Sequence, residues 1–147
     1  MSYDRLARSW VDIWNGDLSL IDSTVHEDFV SHAAPMRGGP VADSVGRAGL
    51  AEWIGGIRAA VPDLRFTVQI GPLVDNPYLF MRWHAEGTYL GGIPGAADGP
   101  IPVDFHGTDI LRITDRANGE GVITEYWLNA DILWLTQQLG LQVGQVT

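Results

Sequence analysis

The sequence predicts an α+β fold in which two amphipathic helices precede a curved antiparallel sheet. Apolar residues recur with helical spacing in two early segments and with alternating spacing in four later segments. The later segments follow one another along the chain as in an antiparallel meander, so we expect the helices to cover one face of the sheet. The chain has 147 residues, of which 46% are apolar, and can fill one sizeable core. We therefore expect a single domain over residues 1–147.

The first helix is predicted over residues 3–15, with Ser2 as a possible N-cap. A short helical turn over residues 18–23 and an extended segment over residues 26–33 follow. The loop over residues 35–40 is rich in proline and glycine, and it could border a pocket. The apolar stripe of the first helix consists of Leu6, Trp10, Ile13 and Trp14.

A second helix is predicted over residues 44–61, and Pro62 enforces its end. Gly55 and Gly56 weaken it, since an interior glycine disfavours a helix by about 1 kcal/mol. The apolar stripe of this helix consists of Leu50, Trp53, Ile54, Ile57 and Val61.

Alternating patterns after Pro62 predict four strands. The connection over residues 91–100 contains more glycine and proline than a tight hairpin needs. It forms either a mouth loop over a cavity or an ordinary exposed loop. The strands are predicted over residues 64–70, 78–90, 101–113 and 122–131.

The composition excludes several kinds of chemistry. All nine basic residues are arginine, so no lysine can form a Schiff base or hold a phosphate in a P-loop. The chain has no cysteine, which excludes thiol nucleophiles, disulfides and cysteine-bound metals. No pair of histidines has compact ligand spacing and no HExxH motif occurs, so we expect no metal site. Acid/base chemistry then falls to carboxylates, the four histidines, tyrosines or bound water.

The charge and the apolar pattern also indicate where the protein works. A net charge of -9 disfavours binding to nucleic acids and to anionic membranes, which would repel the protein. No apolar run approaches the roughly 18 residues of a membrane helix, and the N-terminus lacks the features of a signal peptide. We therefore expect a cytoplasmic protein that acts on a small molecule.

The predicted hairpin over residues 78–113 gives testable neighbours. If its loop is symmetric, Arg82 lies across from Asp109, and His84 lies across from Gly107. A slip of one residue or a β-bulge would exchange the two faces of the sheet. One face is expected to carry Arg82, His84, Glu86, Asp109, Leu111, Tyr126 and Leu128, and the other Trp83, Ile110, Arg112, Trp127 and Asn129.

Asp109 is the leading acid/base candidate, because a carboxylate in mid-strand is costly to bury unless it is paired or functional. A buried pair with Arg82 would lower the pKa of Asp109, whereas desolvation without a partner would raise that pKa toward neutrality. His84 is the expected proton partner, since an imidazole titrates near neutral pH. The same residues would also fit a solvent-exposed face of the sheet.

Four residues are expected to contact the substrate. His32 precedes the loop over residues 35–40, which suits a pocket wall, although an ordinary exposed position fits equally well. Tyr126 and Leu128 are predicted to lie on the same face of the sheet as Asp109. Trp14 is an aromatic residue of the kind that lines cavities for ring-containing ligands.

The chain carries, in order, the segments His26–Val30, Pro62–Asp63, Gly87–Gly91, Ile110–Ile113 and Gln138–Gly140. In this order it resembles the SnoaL-like polyketide cyclases over nearly its whole length. The resemblance implies an NTF2-like cone, which is a curved antiparallel sheet wrapped around helices with a deep apolar pocket. It also implies a homodimer and chemistry that needs no metal or cofactor.

Cyclases of this family close a ring by intramolecular aldol chemistry, with an aspartate as acid/base and a nearby histidine. When Arg112, Ile123 and Gly140 are placed on the matching family positions, the aspartate's position falls on Leu128 and the histidine's on Asp109. A leucine cannot transfer a proton. The resemblance therefore supports the usual mechanism only if a carboxylate has moved to the adjacent strand.

The related limonene-epoxide-hydrolase type activates water with an Asp-Arg-Asp group, which Arg82 and Asp109 match in part. The sequence and the resemblance together predict cofactor-free cyclisation or isomerisation of a polyketide-like or other apolar cyclic substrate. In this hypothesis Asp109 is the acid/base, His84 is its proton partner and Arg82 positions an oxyanion or tunes the pKa of Asp109. The alternatives are epoxide-hydrolase-like water addition, a binding module that has lost the acid at Leu128, or an interaction domain.

Overall fold

The computed structural model describes residues 3–36 and 38–142. The predicted cap Ser2 lies outside these residues. Four helices, α1 to α4, cover Tyr3–Trp14, Ile21–Thr24, Arg47–Ala60 and Ile132–Gln138. In the described part of the chain, no helix is long and apolar enough to cross a membrane.

Six strands form one curved, open sheet, in the order β2-β1-β6-β5-β4-β3. Strands β3 to β6 make the predicted antiparallel meander. Strand β1 pairs in parallel with β6, and the short strand β2 pairs antiparallel with β1. The sheet is therefore mixed and has two strands more than the predicted meander. Strands β1 to β6 cover Val25–Ala33, Ala42–Val45, Arg65–Asp75, Tyr78–Tyr89, Ile101–Asp115 and Gly121–Ala130.

Helix α3 begins at Arg47 and not at the predicted Ser44, because Ala42–Val45 pairs with β1. Gly46 separates the strand from the helix with a φ of 92°, a conformation that favours glycine. The predicted stripe of α1 is confirmed, since each of its four residues is buried.

The core consists of two groups of buried residues. One group packs α1 and α3 against the sheet, and Leu6, Ile13 and Ile54 are completely buried in it. The other packs α4 against the far ends of β4 and β5, around Tyr89 and Leu139. Members of both groups line one cavity.

The register of β4 and β5 differs from the predicted register by one residue. Tyr89 pairs with Ile101, so the connection covers residues 90–100 and includes Leu90, which the sequence pattern had placed in the strand. Asp109 consequently lies across from Met81 and not from Arg82. This single shift changes which residues of β4 share a face with Asp109.

Candidate functional site

An apolar cavity of about 680 Å³ lies between the inner face of the sheet and helices α1, α3 and α4. This volume is within the range of pockets that hold small organic ligands. Ala34 and Met36 line it from the loop before β2, and Ile93 lines it from the connection over residues 90–100. Both loops that the sequence pattern singled out therefore border the cavity.

One face of helix α3 lines the cavity. Gly49, Trp53, Gly56 and Ala60 line it at helical spacing, with Glu52 on the same face. A Cβ added at Gly56 would meet nothing within 4 Å, which means that the space beside this glycine is open. A glycine that weakens the helix thus leaves room for a ligand.

Asp109 is the buried acid of this cavity. Its side chain is 4% exposed, and it lines the cavity from β5. Its Oδ1 accepts hydrogen bonds from Trp83 Nε1 at 2.9 Å and from Tyr126 Oη at 3.0 Å. Its Oδ2 accepts one from Trp10 Nε1 at 2.9 Å. Because a carboxylate has about four acceptor positions, these three hydrogen bonds leave capacity for one more, on Oδ2.

Burial raises the pKa of Asp109 from 3.8 to about 6, although the hydrogen bonds from Trp83, Trp10 and Tyr126 act in the opposite direction. Burial and the charge of Asp109 also raise the pKa of Tyr126 well above its ordinary value of 10, so the phenol remains a donor. An indole N–H can only donate. All three neighbours therefore favour the ionised carboxylate, and burial opposes it. The carboxyl group changes protonation in the pH range where general acids and bases work.

Trp83 reaches Asp109 across Gly107, its partner on β5. A Cβ at Gly107 would lie 2.2 Å from Cζ2 of Trp83, so the indole can occupy this place only above a glycine. The predicted register placed Trp83 on the opposite face of the sheet, so this hydrogen bond to Asp109 was not predicted. The signal was present, because the one-residue slip that the pattern left open brings Trp83 onto the face of Asp109.

Trp10 was also missed as a partner of Asp109. Its place in the stripe of α1 indicates burial but not the identity of its hydrogen-bond partner. The contact joins residues 99 positions apart in the chain, which spacing alone cannot reveal. Trp14, Tyr126 and Leu128 line the cavity, and their contact with substrate stays a prediction.

Leu128, on the family's aspartate position, is the direct partner of Asp109 across strands β5 and β6. Both side chains line the cavity. The carboxylate therefore lies one strand away from the position that the resemblance assigns to the acid.

The structure places Arg82 and His84 on the outer face of the sheet, away from Asp109. They alternate with Trp83, whose side chain points to the cavity. The Nε2 atom of His84 lies 3.3 Å from Asp104 Oδ2. The predicted group of Arg82, His84 and Asp109 does not form, and an ion pair between Arg82 and Asp109 is wrong as well. The shift in register is the cause of both errors.

His32 also lies outside the cavity, so its expected place in the pocket wall is wrong. On β1, its Nδ1 is 2.6 Å from Asp43 Oδ1 and its Nε2 is 2.6 Å from Glu125 Oε2. The ring stacks on Trp127, with 5.3 Å between the ring centroids. The hydrogen bond to Glu125 is the main cause that raises the pKa of His32, and Asp43 adds to it. On the outer face of the sheet, His32 therefore links β1 to β2 through Asp43 and to β6 through Glu125.

One group of possible metal ligands occurs among the described residues. Ligand atoms of His26, Glu27 and Asp28 lie within 4.8 Å of one another at the start of β1. The two carboxylates are exposed, and none of the three residues lines the cavity. Exposed acidic groups of this kind are common without a metal, and we assign no function to them.

Comparison with solved structures identifies the fold. A proposed polyketide cyclase from Bacillus cereus ATCC 10987 is 31% identical over 93% of this chain and 79% of that chain, with a TM-score of 0.72. IdmH, a proposed polyketide cyclase from Streptomyces antibioticus, is 23% identical over 94% of this chain and 98% of its own, with a TM-score of 0.77. A protein from Catenulispora acidiphila DSM 44928 with a ketosteroid isomerase-like fold is 17% identical over 97% of both chains, with a TM-score of 0.69.

These similarities confirm the α+β fold that the sequence pattern predicts and the NTF2-like architecture that the family resemblance implies. A search of curated proteins gives no match. A sequence profile described as SnoaL-like polyketide cyclase matches residues 4–139, which is nearly the whole chain. The chain therefore belongs to the SnoaL-like polyketide cyclase family.

Proposed function

We propose that this protein is a cofactor-free enzyme that transfers protons on an apolar, ring-containing substrate, with Asp109 as the acid/base. The observation that carries the proposal is one buried carboxyl group that lines the cavity and whose Oδ2 accepts a single hydrogen bond, which leaves it capacity for one more. Membership of the cyclase family supports a small-molecule enzyme or binder. Cyclisation and isomerisation are the reactions that fit best.

The position of Asp109 supports this function despite the leucine on the family's aspartate position. Asp109 and Leu128 are paired across β5 and β6, and both line the cavity. A carboxylate on either strand can reach a substrate in the same cavity. In this proposal the acid/base is therefore a carboxylate on β5, next to the position on β6 that the resemblance assigns to it.

The chemistry follows from the remaining acceptor capacity of Oδ2. In the ionised form, Oδ2 of Asp109 accepts a proton from a carbon next to a carbonyl group of the substrate. The protonated carboxyl group then returns the proton to another atom, which completes an isomerisation or follows ring closure. A pKa of about 6 allows both steps near neutral pH, because neither form of the group is strongly disfavoured there.

A binding module is the second candidate, because the family's aspartate position is occupied by Leu128. It would keep the cavity but would not accelerate a reaction. Epoxide-hydrolase-like water addition has lost its support, since Arg82 lies on the other face of the sheet from Asp109. Ligand binding and proton transfer must therefore be measured separately.

Deuterium exchange tests the proposal without knowledge of the natural substrate. Cyclic aryl ketones such as 1-tetralone are incubated with the protein in D2O, and deuterium at the carbon next to the carbonyl is measured by NMR. We expect the wild type to accelerate exchange and Asp109→Asn to lose at least about 100-fold of that acceleration, the usual minimum for a general acid/base. Glu86→Gln is the matched control, because it removes a carboxylate from the exposed outer face.

Two results would contradict the enzyme. If Asp109→Asn exchanges as fast as the wild type, Asp109 is not the acid/base. If the ketones bind in the cavity and no exchange occurs, the binding module is the better description. Binding is measured in parallel by the change in tryptophan fluorescence, since four tryptophans line the cavity.

We also propose that two copies of the chain pair through the outer face of the sheet, as the family resemblance implies. Tyr78, Phe80, Ile110 and Trp127 are only partly buried on this face. A stable interface buries roughly 1,200–2,000 Å² in total, and apolar groups at its centre favour association. Trp127→Glu should convert the dimer to a monomer in analytical ultracentrifugation. A monomeric wild type would contradict the pairing.

A further inference from the structure

The charged residues of the cavity have one sign. Among the described residues that line it, the ionisable acids are Asp109 and Glu52, and no arginine or histidine contributes. Asp109 is buried, whereas Glu52 is exposed on helix α3. A cavity with carboxylates and apolar walls attracts cations and repels anions.

Aromatic rings surround the space next to Asp109. Trp14 and Trp53 are nearly perpendicular, at 89°, with 5.0 Å between their ring centroids. Tyr126, which donates to Asp109, lies 6.1 Å from Trp53 and 6.2 Å from Trp14. At these distances the three rings pack on one another and form one aromatic wall of the cavity, and the negative faces of aromatic rings attract ammonium groups.

Among the described residues, the hydrogen-bond donors to Asp109 are all neutral. They are the side chains of Trp10, Trp83 and Tyr126. A nearby positive charge stabilises a buried carboxylate. A cationic ligand in the cavity could supply that charge from beside Asp109, without occupying the acceptor position on Oδ2 that proton transfer needs.

We propose that the cavity selects a hydrophobic organic cation, an amine or ammonium attached to a ring system, with its nitrogen inside the cavity near Asp109 and against the aromatic wall of Trp14, Trp53 and Tyr126. This inference rests on the proposed function, because it names the class of molecule on which the same site acts. The ring system fills the apolar part of the 680 Å³ cavity.

Two probes of the same shape test the charge preference. Phenyltrimethylammonium is a permanent cation, and tert-butylbenzene is its neutral counterpart with carbon in place of nitrogen. Their affinities are measured by tryptophan fluorescence and by NMR of the indole N–H groups, with benzoate as an anionic probe. We expect the cation to bind the wild type at least about tenfold more tightly than the neutral probe, and benzoate not to bind detectably.

Two variants and a change of pH test whether the preference for the cationic probe arises at Asp109 and Trp53. Asp109→Asn and Trp53→Leu should each reduce the ratio of cation to neutral affinity by about threefold or more, since each removes one attractive group. Glu86→Gln makes the same change in net charge as Asp109→Asn on the outer face, and it should leave the ratio unchanged. The ratio should also fall when the pH is lowered from about 8 to about 4.5, because Asp109 becomes neutral while the probe stays charged.

The proposal is overturned if tert-butylbenzene binds the wild type as tightly as the cation. That measurement needs no variant, so a failure of Asp109→Asn to fold would not affect it. The result is also independent of the exchange assay. Exchange that depends on Asp109, together with no preference for the cation, would refute this inference and leave the proposed function intact.

Discussion

Replacing Asp109 by asparagine should change how the stability of the protein depends on pH. The carboxyl group has a pKa of about 6 in the folded protein and an ordinary value of 3.8. The folded state therefore holds this proton more tightly than the unfolded state. The stability that the proton provides is fully present below about pH 3.8, and it is lost as the pH rises through 6.

The size of the effect follows from the shift. One pKa unit corresponds to about 1.4 kcal/mol, so a shift of about two units amounts to about 3 kcal/mol. Because asparagine cannot ionise, the variant does not lose this stability as the pH rises. It should, however, leave the N–H of Trp10 facing an amide N–H₂, which costs about 1–3 kcal/mol at every pH. The difference in free energy of unfolding, wild type minus variant, should fall by about 2.5 kcal/mol between about pH 4 and pH 7.5.

Urea denaturation of both proteins across this range measures the difference. The subtraction removes the contributions of the other titrating groups, which the two proteins share. Glu86→Gln, with its charge change on the exposed outer face, should show a nearly constant difference from the wild type. A constant difference for Asp109→Asn would mean that the pKa of Asp109 is the same in the folded and unfolded states, and that burial does not raise it.

Three further changes test other parts of the site. Tyr126→Phe removes one donor to Asp109, so the pKa of Asp109 and the midpoint of the pH profile of exchange should rise; a lower midpoint would contradict this. Gly56→Leu should fill part of the cavity and weaken ligand binding at least about tenfold. The free energy of unfolding should stay equal or rise by up to about 1 kcal/mol, because leucine favours a helix more than glycine does. A stable variant that still binds tightly would place the ligand elsewhere. The raised pKa of His32 means that its bond to Glu125 stabilises the fold most below pH 6.5, so His32→Gln should lose stability at acid pH and little at alkaline pH. An equal loss at both would show that the charge of His32 plays no part.

The sequence predicts the fold well because long periodic segments are easy to recognise. The stripe of α1 and the alternation along β4 to β6 are local patterns, and each gave an element close to its observed bounds. Strand β2 is four residues long and fully exposed, so it leaves no apolar alternation to detect. Its pairing with β1 also displaced the start of α3.

The site was harder to predict because it depends on register. The choice of Asp109 came from a local argument about a carboxylate in mid-strand, and the structure places it in the cavity. Its partners depended on whether Leu90 belonged to the strand or to the loop. Because Leu90 lies in the loop, Trp83 shares a face of the sheet with Asp109, whereas Arg82 and His84 lie on the other face. Local patterns carry little information about such a shift, since both faces of β4 contain aromatic and polar residues.

The proposed chemistry requires that the Asp109 carboxyl group inside the cavity changes protonation near neutral pH. Carbon-13 NMR of the aspartate carboxyl groups measures this directly, and Asp109→Asn identifies the signal by its absence. We predict that the Asp109 signal titrates with a midpoint of about 6, and that the indole N–H signals of Trp10 and Trp83 move with the same midpoint. A midpoint at or below the ordinary value of 3.8 would contradict the account, because Asp109 would then be a permanently ionised structural group.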